Sequence, residues 1–105
     1  MFGEALKGHL DLLLLAVLAK GPAHGYALIE SLRTRSGGTF DLPEGTVYPA
    51  LHRLEKDGLL RSHWSEDSGR RRRVYQLTPK GEEALVRRLA EWQQFSRAVD
   101  VTVEI

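Results

Sequence analysis

The four consecutive arginines Arg70-Arg71-Arg72-Arg73 carry the densest charge in the chain and the clearest chemistry. A guanidinium is permanently charged and presents five donors in a planar fork, which suits phosphate oxygens and the guanine edge. A second constellation lies upstream. Val47, Leu51 and Leu54 recur at the spacing of one helical stripe, so Thr46, Tyr48, Pro49, His52, Arg53 and Lys56 fall on the opposite face. Groups of those types can reach base edges and phosphates, and His52 and Arg53 are the best suited to bases. Glu55 and Asp57 would repel phosphate and are expected outside any such contact.

Other chemistries find little support. His9, His24, His52 and His63 show no metal-ligand spacing, and there is no cysteine to join them. No Ser/His/Asp grouping or phosphate-cradling glycine loop stands out. No metal, no cofactor and no catalysis are expected.

The 105 residues suit one small domain, and with 42% hydrophobic residues they can bury a modest core. The formal net charge is only +1, but it is unevenly spread. Residues 1–60 sum to −1, residues 61–80 to +4 and residues 81–105 to −2. The apolar run Leu12 to Ala19 is far shorter than the ~20 residues that span a bilayer. Glu4 and Asp11 argue against a secretory leader, so no membrane contact and a cytoplasmic location are expected.

Six elements must position these groups. A buried helix is expected from about Leu6 to Ala19, stopped by Lys20-Gly21-Pro22. His24 to Arg35 reads as a second helix, ended by Ser36-Gly37-Gly38. In His24-Gly25-Tyr26, the glycine is expected to let two helices approach, the tyrosine to cover their crossing, and His24 is placed to meet a phosphate. A third helix runs between Pro43 and Asp57, starting at Glu44 to Thr46 so that Pro49 sits near its first turn. Two short alternating strands, around Leu59–Trp64 and Val74–Leu77, flank a turn at Glu66-Asp67-Ser68-Gly69. Thr78-Pro79 caps a fourth helix, although Gly81 stands where a capping box wants Glu. Leu85, Leu89, Trp92, Phe95 and Val99 form its apolar stripe, and residues 99–105 are expected as frayed helix or tail.

Three helices, a hairpin and a long helix give a mainly α fold with a small β-hairpin. This is the order of a winged helix-turn-helix, with the third helix in the major groove and the hairpin as its wing. His24-Gly25-Tyr26, Gly45-Thr46-Val47-Tyr48-Pro49-Ala50-Leu51 with Arg53 to Leu59, and Arg72 to Gly81 resemble the PadR-family transcriptional regulators, in order and over roughly residues 6–98. The short subfamily, with a single C-terminal helix, is the nearest likeness. The resemblance implies a dimeric DNA-binding repressor with a C-terminal dimerisation helix, released in some relatives by a small molecule.

The expected division is a winged helix-turn-helix at 1–78 and a dimerisation helix and tail at 79–105, in one compact unit. Thr46, Tyr48, Pro49, His52, Arg53, Arg70, Arg71 and Arg72 are the expected contacts to an inverted-repeat duplex. Arg70 and Arg71 are assigned to the minor groove or its phosphates, with some A/T preference; Arg72 and Arg73 to backbone contacts or surface. Leu85, Leu89, Trp92, Phe95 and Val99 are assigned to a homodimer seam and to a hydrophobic or aromatic effector. Two alternatives stand beside this: a winged-helix module that binds protein and not DNA, and a basic wing that binds RNA or duplex without sequence preference.

Overall fold

A computed structural model describes residues 3–67 and 69–105. The elements follow in the order α1 (Gly3–Leu18), β1 (Ala23–His24), α2 (Gly25–Arg35), α3 (Glu44–Lys56), β2 (Leu60–Asp67), β3 (Arg70–Leu77) and α4 (Pro79–Thr102). The fold is the winged helix-turn-helix with a C-terminal helix. Among the described residues no helix is long and apolar enough to cross a membrane.

The core lies where α1, α2 and α3 converge beneath the sheet. Leu14 and Leu15 of α1, Leu28 of α2, and Val47, Leu51 and Leu54 of α3 are fully buried, with Leu60 and Tyr75 closing the sheet side. Each such leucine contributes roughly 1.5–3 kcal/mol by leaving water, which fixes the axis of α3. The expected stripe of α3 is therefore its anchored face.

Several boundaries differ from expectation. The first helix begins at Gly3, three residues early, and the second at Gly25, because His24 is extended and serves as its cap. The sheet has a third strand: Ala23 and His24 pair antiparallel with Tyr75 and Val74, giving the order β1-β3-β2. The hairpin strands are longer than predicted, with Asp67 opposite Arg70. Glu66 and Asp67 thus belong to β2, and of the expected turn Gly69 takes φ 76° while Ser68 lies outside the described residues. Residues 99–102 continue α4 as helix, leaving only the last three outside it.

Tyr26 does not cover a helix crossing: it is 60% exposed. Its neighbour Gly25 does mark a close approach, but the ring against it is Tyr48 of α3, whose Cζ would lie 2.5 Å from any Cβ added there. Tyr48 thus sets the spacing between the first turns of α2 and α3.

Pro49 also departs from its expected place. With α3 starting at Glu44, Pro49 is its sixth residue and lies beyond the first turn. It has no N–H to give the Gly45 carbonyl, which faces solvent at an exposed residue. Pro49→Ala is therefore expected to raise stability by about 1 kcal/mol, or about 4 °C in thermal midpoint. Thermal unfolding at fixed protein concentration checks this, and an unchanged or lower midpoint would contradict it.

Candidate nucleic-acid interface

The anchored stripe of α3 leaves Pro49, His52 and Lys56 exposed on its outer face. Thr46 and Tyr48 are half-buried on its flanks, Tyr48 on the side of α2. The hairpin stands beside the first turns of α2 and α3. Between them runs an open groove of about 600 Å³, lined by His24, Tyr26, Glu44, Tyr48, Trp64 and all four arginines of the run. The reading-helix start and the cationic strand thus share one concave surface.

Each arginine of the run has its own setting. Arg70 is exposed at the start of β3. The Arg71 guanidinium lies over the Trp64 ring, 4.5 Å from its centroid, and that of Arg73 lies 5.2 Å away. The aromatic face attracts both cations and limits their rotamers. Arg73 also donates to Ser62 Oγ at 2.8 Å and reaches Glu55 at 3.9 Å, while Ser62 donates to the same carboxylate at 2.6 Å. Glu55 thus braces the wing base against α3, away from the outer face. Arg72 projects to the other side of the strand, its Nη1 2.6 Å from His24 Nε2.

His24 earlier accepts the Ala27 amide through Nδ1 at 3.2 Å, capping α2. A neutral imidazole that accepts at Nδ1 carries its proton on Nε2. Arg72 and His24 then face each other as two donors at the start of a helix, a setting that favours a shared anionic oxygen.

Arg53 lies elsewhere. Its two terminal nitrogens donate to both oxygens of Asp11 on α1, each at 2.8 Å, and Arg88 of α4 reaches the same carboxylate at 3.2 Å. Asp11 is held below the usual carboxylate range, chiefly by the Arg53 hydrogen bond, against the opposing effect of burial. The structure therefore does not group Arg53 with the outer face of α3: its fork is filled by a carboxylate at right angles to the expected role.

Two participants escaped sequence reasoning. Trp64 was counted only as a strand residue, although its register opposite Arg73 offered a signal once the hairpin was aligned. Asp11 sits 42 positions from Arg53, beyond any local pattern.

On α4, Leu85 packs partly against the core, but Leu89, Trp92, Phe95 and Val99 remain substantially exposed, Phe95 at 57%. Trp92 meets the His9 ring of α1 edge-on at 4.8 Å. An apolar cleft of about 300 Å³ opens there, lined by Leu6, His9, Leu12, Leu13, Phe40 and Trp92. Among the described residues no cluster of three or more His, Asp or Glu side chains is arranged to hold a metal ion.

Comparison with known proteins places these features in context. Residues 14–87 match the model of the transcriptional regulator PadR-like family. A transcriptional regulator of Mycobacterium tuberculosis is 42% identical over 81 residues, covering 77% of this chain and 73% of that protein. Among solved structures, a transcriptional regulator from Clostridium thermocellum superposes with a TM-score of 0.89 at 28% identity, covering 96% of this chain and 99% of the other. A PadR family transcriptional regulator from Eggerthella lenta gives 0.86 at 34% identity, covering 99% and 89%.

Proposed function

Because the chain belongs to the PadR-like family of transcriptional regulators, we propose that it acts as a homodimeric repressor that occupies an inverted-repeat operator. It is a DNA-binding regulator and not an enzyme; the proposal concerns how it reads DNA and how it is released. Residues 1–78 hold the duplex and residues 79–105 pair the protomers. The observation that carries this reading is the shared groove, in which a cationic wing and the start of an anchored helix line one surface.

In this reading α3 enters the major groove, with Thr46, Tyr48, Pro49 and His52 toward the DNA and Lys56 on a phosphate. Arg70 and Arg71 follow the adjacent backbone or minor groove. His24 and Arg72 share a phosphate oxygen, which removes their donor-to-donor conflict. Trp64 holds Arg71 in a restricted set of positions, so less side-chain entropy is lost on contact. Arg53 drops out of the base-reading set because Asp11 occupies its fork.

Selection of bound duplexes from a random pool, at a stated salt concentration, tests the proposal. It expects a palindrome whose half-sites lie about 10 bp apart or a multiple of that. Recovery of no motif would overturn it.

The exposed stripe of α4, together with part of α1, supports the dimer, since apolar surface of this extent is rarely left to water. Phe95→Glu is expected to convert a dimer to a monomer in sedimentation analysis and to abolish preference for the palindrome. A wild-type chain that sediments as a monomer would remove the basis for two-fold reading. The apolar cleft beside Trp92 fits a hydrophobic or aromatic effector. Such a molecule would release the operator only if it binds one spacing of the two reading helices better than another.

A further inference from the structure

We propose that Asp11 is a positioning residue for operator reading: it latches the reading helix to the pairing helix and so sets the distance between the two reading helices of a dimer. The inference rests on the dimeric reading above and adds to it a physical connection between α3 and α4.

One carboxylate serves three elements. Asp11 leaves α1 and takes both terminal nitrogens of Arg53 on α3 at 2.8 Å, while Arg88 on α4 reaches its Oδ2 at 3.2 Å. Its side chain is only 15% exposed, whereas those of Arg53 and Arg88 are 52% and 36% exposed. The carboxylate is thus the enclosed hub and the guanidiniums are the outer arms. A fork-to-fork Arg–carboxylate pair fixes angle as well as distance, which a single point contact does not. Two cations on one anion leave the cluster with an excess positive charge. Without the anion, Arg53 and Arg88 would repel, and α3 and α4 would be pushed apart at their shared edge with α1.

The latch also adjoins the aromatic cleft. Arg88 lines a cavity of about 300 Å³ with His9, Leu12, Glu91, Trp92 and Phe95. Movement of α4 there is passed to α3 through one residue of the cleft wall and one carboxylate. A coupling of this kind is demonstrated only by showing that both ends respond to the element between them.

Three duplexes test it: the selected palindrome, the same palindrome with its centre lengthened by one base pair, and a lone half-site. The variants are Asp11→Asn, which keeps the shape and removes the charge, and Arg88→Gln, whose more exposed side chain makes it the safer test of folding. Both are expected to weaken binding to the palindrome by about tenfold, within the usual range of coupling between sites. Binding to the lone half-site should change by less than about twofold, and the preference for the native spacing should shrink, because local contacts persist while relative placement relaxes.

Equal losses on all three duplexes would overturn the latch, since Asp11 would then act on α3 alone. A gain in affinity would overturn it too, by showing that Asp11 restrains a DNA-contacting Arg53; so would no change anywhere. Arg53→Ala adds a separate readout. A latch residue alters the spacing preference, whereas a base reader alters the preferred sequence. If the wild-type chain shows no preference for the palindrome over the half-site, the dimeric reading fails first, and the latch falls with it.

Discussion

A Gly81→Ala chain is expected to lose about 3 kcal/mol of folding stability, the upper range for forcing one methyl group into a filled site. Gly81 lies in the first turn of α4, where an added Cβ would overlap the carbonyl oxygen of Leu59 and sit 3.0 Å from its carbon. That obstacle is backbone, so no rotamer change can relieve it. The Leu59 carbonyl is itself committed, accepting the Thr78 amide at 3.1 Å. Around it, Thr78 donates its hydroxyl to the Gly58 carbonyl at 2.6 Å, and Lys80 donates to the Asp57 carbonyl at 3.0 Å. The start of α4 is thus riveted to the turn that follows α3, and a displacement at Gly81 would strain all three bonds. Chemical denaturation of the wild type and of Gly81→Ala at equal concentration measures the loss. A difference below about 1 kcal/mol would show that the turn yields, contrary to the close packing described. Exposed Gly45 of α3, with nothing within 4 Å of an added Cβ, is the matched control.

The same glycine shows why part of the fold was legible and part was not. The threonine cap and following proline announced α4, and Gly81 looked like a flaw in a capping box. The structure gives its reason: Thr78 Oγ1 accepts the Gly81 amide at 3.0 Å, so the cap is made, and the missing side chain is what lets the helix meet Leu59. Periodicity revealed the stripe Val47, Leu51 and Leu54 because burial on one helical face leaves a repeat in the chain itself. β1 left none, because two residues cannot show alternation, and its pairing with Val74 and Tyr75 is a tertiary event. The candidate interface divides in the same way. The arginine run and the outer face of α3 were visible as local composition. The engagement of Arg53 by Asp11, the stacking of Arg71 on Trp64 and the approach of Arg72 to His24 depend on which elements meet, and nothing within a few residues encodes them.

Replacing Arg70 and Arg71 together with alanine is expected to weaken operator binding by roughly thirtyfold at 0.15 M salt, if each neutralises one phosphate. The size follows from counterion release: each phosphate neutralised contributes about 0.9 to the slope of log K against log salt, so two contacts removed lower the slope by about 1.8. The loss should be of similar size on every duplex, because phosphates carry no sequence. Both residues lie at the start of β3, away from the buried end of the strand at Tyr75, so folding should be little affected. His52→Ala should behave oppositely, changing which sequence is preferred while leaving the salt slope nearly intact. Arg71 alone adds a spectroscopic handle, since its removal uncovers the Trp64 ring, and this should shift the indole emission even without DNA. The pair of measurements separates the competing readings. A module that binds only protein would show no salt-dependent duplex binding to lose. A basic wing without sequence preference would lose affinity in the arginine variant, but the His52 variant would then have no preference to alter. A drop confined to one sequence in the arginine variant would place the wing on base edges instead of phosphates, and the counterion argument would fail.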